Sequence, residues 1–121
     1  MNASHLGVIG ASRGLGADLA AAYVAHGRQV VGFARSPSDG GGRVPVWAAD
    51  VQSIGLLGSL KEWIEGSSGT RLVVVTAGIL GPVGGIGVVD MERWAATLQV
   101  NLAGAANVLH VLAPYVTSED R

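Results

Sequence analysis

A chain of 121 residues with 49% apolar and 14% charged residues is about one domain's worth. Its apolar content can offset the entropy of ordering the backbone, which excludes an intrinsically disordered chain. A net charge of −1 with no basic run argues against bulk nucleic-acid or membrane-surface binding, and the absence of cysteine excludes disulfides and cysteine-ligated zinc. No apolar run approaches membrane-spanning length, and the opening MNASHLG carries no signal-peptide pattern. A cytoplasmic protein with no membrane, nucleic-acid or metal partner is therefore the expectation.

The first predicted element is a buried strand over His5-Leu6-Gly7-Val8-Ile9. A glycine-rich turn, Gly10-Ala11-Ser12-Arg13-Gly14-Leu15-Gly16, follows it. Leu15, Leu19, Ala22, Tyr23 and Ala25 then fall largely at helical spacing, up to a stop at Gly27. Strand, glycine turn and helix in that order open a nucleotide-binding βαβ unit. Glycines let the backbone approach a pyrophosphate, and the helix N-terminus receives the phosphate charge. In a chain with 19 glycines the turn alone is weak evidence, and an ordinary βα loop is the plain alternative. The spacing GxxxGxG resembles the TGxxxGxG turn of the short-chain dehydrogenase/reductase family, with Ile9 in place of the threonine. The resemblance implies that Gly10, Ser12, Arg13, Gly14, Leu15 and Gly16 contact a dinucleotide cofactor.

Arg28 to Ala34 carries the β-branched and aromatic residues of a second strand. At the end of that strand a dinucleotide fold places the group that meets the adenosine ribose. An acid there favours NAD, whereas this chain offers Arg35, with Arg13 inside the glycine turn. Two guanidiniums suit a 2′-phosphate, so NADP is expected over NAD. A solvated loop charge is the plain alternative for Arg35. Ser36 to Arg43 reads as a loop, and Val44 to Ala49 as a short third strand. Asp50-Val51 then matches the family's acid and apolar pair, which implies adenine binding. A cap on the helix that follows is the compatible alternative for Asp50.

That helix is predicted over Ile54 to Gly66, with Ile54, Leu57, Leu60 and Ile64 on its apolar face and Trp63 flanking it. Arg71 to Gly78 reads as a fourth strand, whose unbroken apolar run suits a parallel strand covered on both faces. Its end, Ala77-Gly78, resembles the AG of the family's NNAG motif, with Val75 and Thr76 where the asparagines stand. Ala77 and Gly78 are thereby implied in cofactor binding. Ile79 to Val89 is a glycine-rich loop. Asp90 caps a helix bearing Met91, Trp94, Ala95 and Leu98 on one side.

The run VNLAGAANV resembles the family's N-x-x-G region through Asn101 and Gly104. The resemblance implies an active-site asparagine that holds a water in a proton relay. The alternative is that Asn101 bridges a local helix irregularity. From Leu102 to Val116 the helix is apolar almost all round, which requires burial in the core or against another subunit. His110 within it reads as an interface or surface histidine and not a ligand.

Together these elements predict a single α/β domain over residues 1–121, a Rossmann-like doubly wound parallel sheet truncated to strand order 3-2-1-4. The family's serine and Tyr-x-x-x-Lys lie beyond this region. Here Tyr23 and Tyr115 are followed four residues on by Gly27 and Glu119, and Ser118 has no such partner. The expectation is an NADP(H)-binding domain without hydride transfer, Asn101 being a catalytic remnant. One alternative is an oxidoreductase active only with residues from another chain. A second is a non-catalytic self-associating or regulatory module. A homodimer or larger oligomer is expected, through the exposed edge of strand 4 (Leu72 to Ala77) or through the 102–116 helix.

Overall fold

The computed structural model describes residues 4–11, 14–36 and 44–116. Four parallel strands form one sheet in the order β3-β2-β1-β4. They are β1 (His5–Ile9), β2 (Gln29–Ala34), β3 (Val46–Ala48) and β4 (Arg71–Val75). β1 is central: Ile9 lies opposite Phe33 of β2 and opposite Val75 of β4. β3 is shorter than predicted, although Gly32 N–H donates to the Pro45 carbonyl and Ala49 N–H to that of Ala34, extending the pairing at both ends.

The period of two along each strand divides the core into two layers. Leu6, Val8 and Val30, with the half-buried Leu72 and Val74, face α1 (Gly14–Ala25), which contributes Ala20 and Tyr23. Ile9, Phe33 and the partly buried Val73 face α2 (Gly58–Gly66) and α4 (Ala105–Leu112), which contribute Leu60, Trp63, Ile64 and Val108. The inner face of α1 is only partly the predicted one: Tyr23 packs on the core as expected, but Ala22 and Ala25 are exposed. Gly16 and Ala20 are buried, whereas Leu15 is 74% exposed, because small residues let the helix lie close on the sheet. Gly27, at φ +76°, ends this helix as expected.

The segment predicted as one helix over 54–66 is a 3₁₀ turn (Ile54–Leu56) followed by α2. Leu57, with φ −107° and ψ 17°, separates them and leaves Ile54 exposed. Trp63 sits in the core and not beside it, meeting Phe33 edge-on with ring centroids 6.0 Å apart. β4 is only half-buried because it lies at the edge of the described sheet, not between two strands.

Asp90 caps α3 (Met91–Leu98) as predicted, its Oδ1 accepting from the N–H groups of Glu92 and Arg93. A π turn (Gln99–Gly104) then joins α3 to α4, so Met91–Tyr115 is a continuous helical stretch of 25 residues. This corrects the expectation that no apolar segment reaches membrane-spanning length. The polar Gln99 and Asn101 divide the pattern in sequence, but the π turn carries the helix through them. Only 11% of its most apolar window is buried. The burial expected of the 102–116 helix is met within the chain at Val108, whereas Leu102 and Leu109 are 69% and 66% exposed. The α/β architecture, Rossmann-like with helices on both faces of a parallel sheet, is the one predicted.

Candidate functional site

Between β1 and β4 the strand order reverses, and loops leaving the C-terminal ends of neighbouring strands diverge there to leave a crevice. A cleft of about 500 Å³ occupies that position. Gly10, Arg35, Asp50, Val51, Ala77 and Gly78 all line it, so the fold gathers six predicted cofactor contacts from four separate loops. Ile9 and Phe33 supply an apolar floor. Arg35 is the sole cation and Asp50 the sole anion among the described lining residues.

The glycine turn is close-packed where the sequence places its glycines. Gly10 adopts φ +96°, and a Cβ there would stand 2.7 Å from Ala77 N. A Cβ on Gly16 would overlap the Gly10 carbonyl oxygen. Gly14 and Leu15 stand exposed at the start of α1 and do not line the cleft. The predicted contacts Ser12 and Arg13 lie outside the described residues.

Asp50 is not a helix cap. Its Oδ1 accepts the Gln52 N–H at 2.9 Å, closing a tight turn, while the helical turn starts only after Ser53. This turn is held against the long helix by side-chain amides: Asn107 Nδ2 donates to the Val51 carbonyl at 2.8 Å, and Gln99 Nε2 to that of Gln52 at 3.1 Å. On the other wall, Asn101 Oδ1 accepts the Ile79 N–H and its Nδ2 donates to the Ile79 carbonyl, both at 2.8 Å. The paired donor and acceptor fix which way this amide points. Asn101 thus lies in the helix irregularity and ties it to the loop after β4. The π turn gives the helix its local change of pitch at this residue.

Sequence reasoning missed Thr76, Gln52 and Val100, which also line the cleft. The signal for Thr76 was present as a polar residue ending an apolar strand. Tyr115 does not line the cleft: its hydroxyl donates to Glu65 Oε1 at 2.6 Å. That hydrogen bond, with burial and the carboxylate charge, holds the phenol above the ordinary tyrosine range. Glu119, the acid expected beside it, lies outside the described residues.

The family model described as short chain dehydrogenase matches residues 5–121. Among solved structures, a short-chain dehydrogenase/reductase from Vibrio parahaemolyticus is 29% identical with a TM-score of 0.78, covering 94% of this chain and 54% of its own. A short-chain type dehydrogenase/reductase from Mycobacterium ulcerans is 25% identical with a TM-score of 0.80, covering 91% and 45%. The ligand-free aldohexose dehydrogenase of Thermoplasma acidophilum shares the fold at a TM-score of 0.81 and 24% identity, covering 94% and 44%. The chain therefore spans about half the length of these structures. No curated protein matches it in sequence.

Proposed function

This chain belongs to the short chain dehydrogenase family, and we propose that it is an NADP(H)-binding unit whose cleft takes the adenosine and pyrophosphate portions of the cofactor. The observation that carries the reading is the cleft at the sheet's reversal point, lined by Gly10, Ala77 and Gly78, with Gly16 packed behind it against the Gly10 carbonyl. Such a surface lets backbone approach a pyrophosphate, and the N-terminus of α1 supplies N–H groups and a positive dipole end. Val51 and Phe33 offer apolar surface to an adenine, and Asp50 a carboxylate for its amino group. Arg35 follows β2 at the cleft, where its fork of donors suits a 2′-phosphate, and Arg13 is the second guanidinium of this proposal. A bound nicotinamide dinucleotide supplies hydride chemistry.

The choice of NADP over NAD is tested by Arg35→Asp. The variant is expected to lose about 1–3 kcal/mol of NADP(H) affinity and to shift preference towards NAD(H). An unchanged preference would remove Arg35 from the site. Proton delivery in this family's reaction uses a tyrosine with a lysine four residues on, and neither Tyr23 nor Tyr115 has one. We therefore propose cofactor binding without turnover by these residues alone, so that NADPH absorbance stays constant with carbonyl substrates. Steady oxidation that Asn101→Ala abolishes would contradict this.

Self-association is part of the same proposal. Leu102 and Leu109 are mostly exposed, and β4 lies at an edge of the described sheet; each feature invites pairing with a second chain. Light scattering is expected to give at least a dimer at micromolar concentration, and Leu109→Glu to dissociate it. A monomer insensitive to dilution and to that substitution would remove the proposal.

A further inference from the structure

Thr76 directly follows β4 and stands beneath the glycine turn. Its backbone N–H donates to the Ile9 carbonyl at 2.8 Å and continues the β1–β4 ladder by one residue. Its hydroxyl does something separate. Oγ1 lies 3.0 Å from the Ile9 carbonyl oxygen and 3.1 Å from that of Gly10, so one proton serves two acceptors on consecutive peptides. The same oxygen would stand 2.7 Å from a Cβ on Gly10 and 2.5 Å from one on Gly16. The hydroxyl is thus wedged between the turn and the first turn of α1.

Gly10 is held from both sides. Its N–H donates to the Phe33 carbonyl of β2 at 2.8 Å, and its carbonyl accepts from Thr76 beyond β4. Two opposed hydrogen bonds set the plane of each peptide flanking Gly10, which at φ +96° has wide freedom of its own. The Gly10 carbonyl is also the atom against which Gly16 packs, so its orientation sets how closely α1 approaches the sheet. We propose that the Thr76 hydroxyl is a positioning group that presets the glycine turn and the α1 N-terminus for a pyrophosphate. The inference rests on the NADP(H)-binding reading and adds a residue acting through Gly10, not through a charge on the ligand.

The experiment compares NADPH with adenosine 2′-monophosphate, which presents the adenosine and 2′-phosphate but no pyrophosphate. Thr76→Val keeps the shape and removes the hydroxyl. It is expected to raise the NADPH Kd by roughly three- to tenfold, the range set by one net hydrogen bond, and the 2′-monophosphate Kd by less than about twofold. Thr76→Ser restores the hydroxyl and is expected to bind both ligands within about twofold of the unmodified protein, consistent with hydrogen bonding as the cause. Thr76→Ala, compared with Thr76→Ser, isolates the hydroxyl at nearly equal volume should valine lower the melting temperature. An NADPH Kd unchanged in valine and alanine overturns the proposal, as does an equal loss for both ligands, which marks general loosening. Failure of the unmodified protein to bind either ligand overturns the cofactor reading itself.

Discussion

Gly16→Val is expected to raise the NADPH Kd by roughly a hundredfold or more while leaving the sheet assembled. Residue 16 lies in the first turn of α1, buried against the Gly10 carbonyl and the Thr76 hydroxyl. A valine can be placed there only if the helix lifts from the sheet or the turn rotates. Either movement displaces the N–H groups proposed to meet the pyrophosphate. Gly58→Ala is the matched control, since a Cβ at Gly58 meets nothing within 4 Å. That variant is expected to bind as the unmodified protein does, within about twofold, for want of any steric cause. Equal binding by Gly16→Val and Gly58→Ala, measured by calorimetric titration, would show that the cradle does not hold the cofactor.

Trp63→Ala is expected to lower unfolding stability by about 3–5 kcal/mol, the cost of deleting a large buried aromatic. Trp63 is 5% exposed, and its ring sits over Gly7 of the central strand and edge-on to Phe33. For a domain whose total stability is of order 5–15 kcal/mol, such a loss leaves a substantial unfolded fraction at moderate temperature. Urea denaturation followed by circular dichroism measures it. A loss below about 1 kcal/mol would show that Trp63 is not part of the core, since surface substitutions cost little.

The strand order was legible because the glycine turn, Asp50-Val51, Ala77-Gly78 and Asn101 follow one another in the order and at the intervals of one family, whose sheet begins 3-2-1-4. Val30, Val31 and Phe33 announce a strand, and Arg71 to Val75 an apolar parallel one, from residue type alone. Helix faces were less legible. In α1 the contact with the sheet is set by how closely backbones approach, which selects Gly16 and Ala20 over the larger Leu15. Hydrophobic spacing rewards the larger side chain, so it found Tyr23 but passed over Gly16 and Ala20. The depth of Trp63 was also not legible: it was expected to flank the apolar face, and a pattern built on Leu57, Leu60 and Ile64 leaves no sign of the room that Gly7 opens above β1.

Within the site, the lining residues were readable from motif position, but the bonds that fix them were not. The clasp of Asn101 on Ile79 spans 22 positions, and that of Thr76 on Gly10 spans 66. Pairings over such distances follow from the topology and have no local signature. The reading of Asp50 as a cap failed for a related reason: Gln52 lies close enough to take its carboxylate before any helix begins.

The central claim, a pocket built for NADP(H), is tested most directly by titrating the unmodified protein with NADPH and with NADH while following tryptophan fluorescence. Trp47 and Trp63 both meet Phe33 edge-on, at 5.9 and 6.0 Å, and Phe33 lines the cleft. Quenching by energy transfer to a reduced nicotinamide is therefore expected to be saturable. Arg35 at the rim predicts an NADPH Kd at least roughly tenfold below that of NADH, the difference one charge-assisted contact makes. Equal affinity for the two cofactors, or no saturable quenching by either, would contradict it.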